Sequence, residues 1–159
     1  MAESGAKQNP IALFFRATRL RFAGRVHFPK DLDAIRLEDR GESFAAFRKM
    51  VVDPTAERPA QPGAIFQVRF RFKNLSPGAN RLLSRIPMPL IAAQPGFRSK
   101  TWLLGEDSGD FIGYYEFDTV AAAETYWDSL PLRMMRKRAA KGSLTHTITT
   151  ISPGSAGHA

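Results

Sequence analysis

Residues 96–118 read GFRSKTWLLGEDSGDFIGYYEFD, and no other segment says as much about the architecture. Two runs rich in aromatic and aliphatic side chains, 97–104 and 111–117, flank the turn-forming sequence GEDSGD. Runs of this length, bounded by Gly, Asp and Ser, are typical of two antiparallel strands joined as a hairpin. The segment also brings Trp102 and Tyr114 close to basic side chains, so it is either a plain sheet or the wall of a reactive pocket.

Strict alternation along these strands predicts which side chains share a face of the sheet. On the first strand, one face would carry Arg98, Lys100, Trp102 and Leu104, and the other Phe97, Ser99, Thr101 and Leu103. On the second strand, one face would carry Ile112, Tyr114 and Glu116, and the other Phe111, Gly113, Tyr115 and Phe117. A sheet with large apolar groups on both sides needs a cover on each. A partner subunit, the N-terminal segment or both would supply the second cover, and the sequence predicts a homodimer.

The segments on either side of this hairpin complete a six-element unit. Residues 64–72 alternate between apolar and polar side chains, which is typical of a strand. Ser76 is suited to cap one helix and Asp118 or Thr119 to cap another, while the β-branched run 143–151 closes the unit as a strand. The order β-α-β-β-α-β predicts an α+β protein of the ferredoxin-like arrangement, with an antiparallel sheet and helices on one face.

Prolines shape two further segments of this unit. The apolar run IPMPLIAAQPG contains Pro87 and Pro89, which predict a bent connection rather than a helix. Pro131 would start or bend a second piece of the last helix, which ends near Gly142.

The first 63 residues form an N-terminal extension. A basic segment with Pro10 at its start and Gly24 near its end predicts an amphipathic helix, which would pack on protein or lie on an anionic membrane through residues 10–28. Two β-rich runs around residues 39–42 predict a hairpin, and three prolines within 53–63 predict a loop. We therefore divide the chain into the extension 1–63, a ferredoxin-like domain 64–151 and a tail 152–159, with residues 1–9 and the tail expected to be disordered.

The amino-acid composition excludes some classes of function. The chain has 159 residues, no cysteine and a formal net charge of +8. Lack of cysteine excludes disulfides and thiolate chemistry and fits a cytoplasmic protein, with a membrane-peripheral location as the alternative. The positive charge would suit nucleic acid, an anionic membrane or an acidic ligand, but no nucleic-acid-binding motif accompanies it, so nucleic acid is the least favoured partner.

Residues 64–150 resemble the dimeric α+β-barrel superfamily, which includes antibiotic-biosynthesis monooxygenases and haem-degrading monooxygenases. Within it they are most similar to the small bacterial YdhR-type monooxygenases. The resemblance is carried by Pro95-Gly96-Phe97, Lys100 and Trp102 in QPGFRSKTWLLGE, and by Ala123-Glu124 and Tyr126 in GYYEFDTVAAAETY. It covers a little over half of the chain, and it implies a dimeric α+β barrel with a ligand pocket between the sheet and the helices.

Several residues are candidates for the chemistry of such a pocket. The catalytic candidates are Trp102, Tyr114, His146 and Lys100, because they offer stacking, a phenol, an imidazole and an amine. The candidates for substrate binding are Arg98, Phe97, Tyr115, Tyr126 and Trp127. Each of these side chains has an ordinary alternative role in the core, at an interface or on the surface.

The sequence predicts no bound cofactor. It has no metal-ligand spacing and no glycine-rich phosphate loop between a strand and a helix. The haem-degrading members of the superfamily use a histidine on a helix, whereas His27, His146 and His158 all lie outside the predicted helices of the repeat. We therefore expect no cofactor, with haem as the less favoured alternative.

Two hypotheses for the function follow. The first is an enzyme of monooxygenase, isomerase or cyclase type, which acts without a cofactor on a small hydrophobic or aromatic molecule. The second is a non-catalytic ligand-binding or membrane-peripheral accessory protein that uses its basic N-terminal helix.

Overall fold

The central segment forms two neighbouring antiparallel strands in the computed structural model, which describes residues 9–152. The helices are α1 (Pro10–Phe22), α2 (Pro77–Leu83), α3 (Met88–Ala92), α4 (Val120–Trp127) and α5 (Leu130–Arg138). The strands are β1 (Val26–His27), β2 (Arg36–Asp39), β3 (Glu42–Val52), β4 (Ala64–Phe70), β5 (Phe97–Gly105), β6 (Phe111–Phe117) and β7 (Thr145–Thr150). The disorder predicted for both ends falls, apart from Asn9 and Ser152, on residues outside the described range.

All seven strands belong to one antiparallel sheet. Its order is β1-β3-β5-β6-β4-β7, with β2 paired to the first half of β3. The part β5-β6-β4-β7 has the strand order of a ferredoxin-like β-α-β-β-α-β unit, so the predicted fold class is confirmed. The boundary drawn at residue 63 remains a prediction, although β3 of the extension pairs along most of β5.

A β-bulge at the start of β5 changes which side chains share a face of the sheet. Phe97 pairs with Phe117, and Ser99 pairs with the very next residue of β6, so two steps along β5 match one step along β6. Phe97 and Trp102 therefore both pack in the core beneath the helices. The strict alternation predicted from the sequence, which separated these two side chains, is wrong at this point because the bulge absorbs one residue.

Helices α2 and α4 begin where the sequence predicts. The side-chain oxygen of Ser76 accepts a hydrogen bond from the backbone N–H of Ala79, and that of Thr119 accepts one from Ala122. These are N-cap bonds, which satisfy amide groups that have no partner within the helix. The main core lies between the sheet and helices α3, α4 and α5.

The segment predicted as a bent connection contains a helix, so that prediction is wrong. Helix α3 spans Met88–Ala92 and buries Met88, Ile91 and Ala92. Pro89 occupies its second position, where the missing N–H is not needed for helical hydrogen bonding. A proline at the start of a helix is tolerated, whereas the same residue in its interior would break it.

The N-terminal extension supplies a hairpin and a helix, as predicted. Strands β2 and β3 pair through the turn at Arg40 and Gly41. Helix α1 packs on α3, and Leu13 and Ala17 are buried against Ala93. Within residues 9–152, no helix is long and apolar enough to cross a membrane.

The hairpin also covers part of the second face of the sheet. Phe44, Leu103 and Ile112 form a buried cluster there. The Arg69 guanidinium lies 4.9 Å from the centre of the Phe44 ring and forms ion pairs with three carboxylates, those of Asp39, Glu42 and Asp110. The N-terminal segment is thus one of the covers that the two-sided apolar pattern predicted.

Candidate functional site

A cavity of about 60 Å³ lies between the sheet and helices α2, α3 and α5. Lys100, Trp102 and Tyr115 contribute to its lining from the sheet. The helices and their connections contribute Asn80, Ser84, Ile86, Pro87, Ile91, Tyr126, Pro131, Met134, Met135 and Arg138. This lining is mostly apolar with a few polar groups, which is the usual composition of a small-molecule site.

The Lys100 amine lies between two aromatic rings on the floor of the cavity. Its Nζ is 4.3 Å from the centre of the Trp102 ring and 4.5 Å from that of Tyr115. Only 5% of the residue is exposed. Among residues 9–152, no carboxylate forms an ion pair with Lys100, so no negative charge favours the ammonium form of this buried amine.

This environment favours the uncharged amine. Burial lowers the pKa of Lys100 well below the ordinary value for lysine, and the nearby Arg48 guanidinium lowers it further. A neutral amine can accept a proton from a ligand or attack an electrophile, whereas an ammonium group can do neither. The lowered pKa therefore increases the fraction of Lys100 that is in this reactive, neutral form.

Two buried tyrosines lie beside this amine. The rings of Tyr115 and Tyr126 are 4.9 Å apart, and both residues are almost fully buried. Burial raises the pKa of both hydroxyls, so both stay protonated at neutral pH. The two hydroxyls also hydrogen-bond each other, so one proton is used between them and the other can be donated to a ligand oxygen. The Tyr115 ring lies so close to Gly113 that a Cβ added there would be 2.7 Å from the ring, which explains why this strand position has no side chain.

Asn80 of α2 adds a polar group without a protein partner. It is 3% exposed and lines the cavity. Its Nδ2 donates to the Leu75 carbonyl oxygen, but its Oδ1 accepts no hydrogen bond within the described part of the chain. A buried acceptor without a donor is costly, so a ligand or water donor is expected near this oxygen.

Five of the sequence-predicted site residues lie away from this cavity. Tyr114 is on the opposite face of β6, where burial and Glu116 raise its pKa. Phe97 packs in the core against Phe117, and Arg98 forms an ion pair with Asp118.

His146 and Trp127 form a separate stacked pair. Their ring centres are 3.7 Å apart, and the Arg136 guanidinium lies over the indole. Burial and Arg136 lower the pKa of His146, so the imidazole is neutral at pH 7. The structure therefore brings together Lys100, Trp102, Tyr115 and Tyr126, and does not bring the other five predicted residues to the cavity.

Other lining residues were not singled out from the sequence as site residues. Asn80 follows its helix cap by one turn, and a polar residue at that position of an apolar helix face was the available signal. Met134 and Met135 stand beside the basic residues Arg133 and Arg136 to Arg138 of α5, and a basic run of this kind is typical of a solvated helix face. In the described residues, no group of three acidic or histidine side chains could hold a metal ion.

Comparison with known proteins shows the fold. The sequence matches no protein-family profile and no curated protein. The crystal structure of an anthrone oxidase-like protein superposes with a TM-score of 0.51 at 16% identity, over 70% of this chain and 55% of that one. The chain thus spans about half the length of that protein.

A second solved structure covers more of both chains. It is LmHde, a haem-degrading enzyme from Listeria monocytogenes, with a TM-score of 0.52, 9% identity, and coverage of 85% of this chain and 92% of that one. At these identities the likeness establishes the α+β fold and nothing beyond the fold.

The second likeness contradicts the prediction that no cofactor is used. A chain of this fold is a haem-degrading enzyme, so the lack of a histidine in the predicted helices does not set haem aside. Phenol and thioether groups are known haem ligands, and the cavity offers both, from Tyr115, Tyr126, Met134 and Met135.

Proposed function

We propose that the protein is an enzyme that binds a small, mainly apolar ketone or phenol in this cavity and removes a proton from it. The observation that carries the proposal is the buried Lys100 amine between Trp102 and Tyr115. The likeness to an anthrone oxidase-like protein and a haem-degrading enzyme supports an activity on small molecules of this kind.

The chemistry uses three of the lining groups. The Tyr115 or Tyr126 hydroxyl donates a hydrogen bond to the ligand oxygen, and Trp102 stacks on its apolar body. A C–H bond conjugated with the carbonyl then breaks, its proton moves to Lys100 Nζ, and its electron pair moves through the conjugated system to the oxygen as an enolate. The new ammonium group lies beside this enolate and stabilises it.

Two outcomes of the enolate fit the monooxygenase-like or isomerase-like activities of the fold. The enolate takes up a proton at another carbon, which is an isomerisation, or it reacts with dissolved dioxygen as the oxidant. Bound haem would add oxygen activation by iron in the same cavity. The activity of the protein should therefore be measured both with and without added haemin.

Anthrone is a suitable probe, because it is a flat tricyclic ketone with acidic hydrogens. With dioxygen, anthrone gives anthraquinone and water. We expect the wild-type protein to accelerate both deuterium exchange at the anthrone methylene group and formation of anthraquinone, and Lys100→Met to lose at least about tenfold of each rate, as is typical of losing a general base.

Tyr115→Phe and Tyr114→Phe provide the matched pair of controls. The first removes a hydroxyl that lines the cavity and should slow exchange, whereas the second removes one on the opposite face of the same strand and should not. Equal rates for wild type and Lys100→Met, in folded protein, would remove the amine from the mechanism.

A second candidate function is favoured by helix α1. Ile11, Phe14 and Phe15 are 64–66% exposed, while Leu13 and Ala17 hold the helix on its own domain. We propose that the outer face of α1, together with the exposed Arg16 and its basic neighbours, attaches the protein to an anionic membrane.

A further inference from the structure

A cluster of basic side chains lies beside the cavity, on the far side of the connection between α2 and α3. We call it the basic groove, and its cationic members are Arg48 and Lys49 of β3, Arg81 of α2, Arg85 and Lys30. The groove has two shallow parts of about 320 and 500 Å³. Phe47 lines both parts and forms their apolar floor.

The positive charge of the groove is not compensated by the protein. None of its five cationic residues forms an ion pair within residues 9–152, and no acidic residue lines either part. By contrast, Arg69 elsewhere in the sheet has three carboxylate partners. Burial, and then repulsion by Arg85 and Arg81, lower the pKa of Arg48. Like charges brought together in this way cost free energy unless an anion joins them.

Arg48 is fixed in position by the end of α2. Its guanidinium donates hydrogen bonds to the Ser84 hydroxyl and to the Arg81 carbonyl oxygen, which lies 3.0 Å from Nη2. The guanidinium groups of Arg81 and Arg48 are 4.8 and 5.6 Å from the centre of the Phe47 ring. With Arg85 in the same lining, the groove offers three guanidinium groups, two of them over the Phe47 ring. Such a set is suited to an anion with several oxygens, because guanidinium groups donate paired hydrogen bonds to oxyanions.

The groove and the cavity share a wall. Arg48 lies 5.9 Å from the centre of the Trp102 ring, which lines the cavity. Ser84 and Pro87 line the cavity, whereas Arg85 and Met88 line the groove, so the connection between α2 and α3 separates the two. An amphiphilic ligand that extends over the outer edge of this connection would have its apolar part in the cavity and its anionic group among the arginines.

We propose that the basic groove binds the phosphate or diphosphate group of an amphiphilic ligand whose apolar part occupies the neighbouring cavity. The anion site follows from the uncompensated arginines, while the apolar half of the ligand rests on the proposed function. The substrate class is thereby narrowed from small apolar molecules to phosphorylated apolar molecules.

Calorimetric titration with inorganic pyrophosphate, inorganic phosphate and monomeric dodecyl phosphate tests the proposal at constant ionic strength. We expect saturable binding of pyrophosphate, and tighter binding of dodecyl phosphate than of inorganic phosphate. The double variant Arg81→Gln, Arg85→Gln should weaken all three by roughly tenfold or more, which corresponds to the loss of one or two charge-assisted hydrogen bonds.

The matched control is Arg133→Gln, Lys137→Gln, which removes the same charge from exposed positions of α5. It should leave binding within about twofold, since interactions of distant exposed charges are screened. Equal losses in the two double variants, or no saturable binding of pyrophosphate, would overturn the anion site. Dodecyl phosphate that binds no tighter than phosphate would overturn the link to the cavity.

A further binding experiment distinguishes a free phosphorylated ligand from a phosphate group on a lipid surface. Vesicles of phosphatidic acid offer the same phosphate chemistry in a membrane. Binding to these vesicles without binding to monomeric dodecyl phosphate would contradict the proposal. Because none of these titrations needs turnover, a failed anthrone assay leaves their result unaffected, and the reverse also holds.

Discussion

At the scale of single residues, Lys100 shows how strongly its surroundings determine the pKa of a side chain. The segment RSKTW places a lysine two positions before a tryptophan, a pattern that is equally typical of a solvated strand edge. In the folded chain the amine is buried between aromatic rings beside an arginine. Burial and the neighbouring arginine therefore lower the pKa of this lysine, whereas the same residue on a solvated strand edge would be an ordinary cation.

The first prediction concerns the pH dependence of stability. Because the pKa of Lys100 is lowered in the folded protein, the unfolded chain binds a proton at this residue at pH values where the folded chain does not. Stability should therefore rise with pH up to the ordinary lysine pKa of 10.5. Lys100→Met removes this dependence, so we expect its stability advantage over wild type to grow as pH falls from about 10 to 7, by at most about 1.4 kcal/mol per pH unit.

Urea unfolding of both proteins at several pH values measures this difference. Lys73→Met, at an exposed position, controls for the loss of one positive charge. A difference between wild type and Lys100→Met that stays constant across this pH range would contradict the burial of an uncharged amine.

At the scale of elements, the bulge in β5 and the helix α3 decide the site. The bulge places Trp102 on the same face of the sheet as Phe97. Lys100 lies on this face as well, and it lines the cavity together with Trp102 and Tyr115. Alternation in a sequence has no marker for a single extra residue in one strand, so the faces could not be assigned in advance. The short α3 was missed because proline is read as a helix breaker, although it is tolerated in the first turn.

Helix α1 carries the prediction for the membrane candidate. Phe14 and Leu82 are exposed to almost the same extent, 64% and 63%, but only Phe14 lies on the outer face of α1. Phe14→Ser should weaken co-sedimentation with anionic vesicles by about tenfold or more, because burying one phenylalanine contributes about 2 kcal/mol. Leu82→Ser should leave it unchanged.

Vesicles of neutral phosphatidylcholine complete the comparison. Binding should fall on them, since the basic residues lose their anionic partners. If Phe14→Ser and Leu82→Ser bind anionic vesicles equally well, α1 does not serve as the membrane contact.

At the scale of the whole molecule, the second face of the sheet is only partly covered. The hairpin β2–β3 closes the end around Phe44, while Ile65 and Tyr114 stay partly exposed further along the same face. A two-fold partner that packs on this region would complete a dimeric α+β barrel. We therefore expect a homodimer with twice the chain mass of 17.7 kDa.

Light scattering with size-exclusion chromatography measures this mass. Tyr114→Glu should shift the protein to the monomer, because it introduces a charge into the expected interface, whereas Leu82→Glu on the helical side should not. A wild-type protein that remains monomeric at every concentration would contradict the expected interface.

Local residue patterns were sufficient for the architecture of this protein. The alternation in β4 and β6, the caps Ser76 and Thr119 and the order of the elements are short-range features, and each depends on neighbours within a few positions. They led to the ferredoxin-like unit and to four of the residues that line the cavity. Only the tertiary structure decided which four of the predicted residues line the cavity, because the bulge determines which side chains of β5 face the helices. Only the tertiary structure, too, brings Arg48 close to Arg81 and Arg85. Contacts between residues 33 or more positions apart depend on how the elements pack, and no local pattern records that packing.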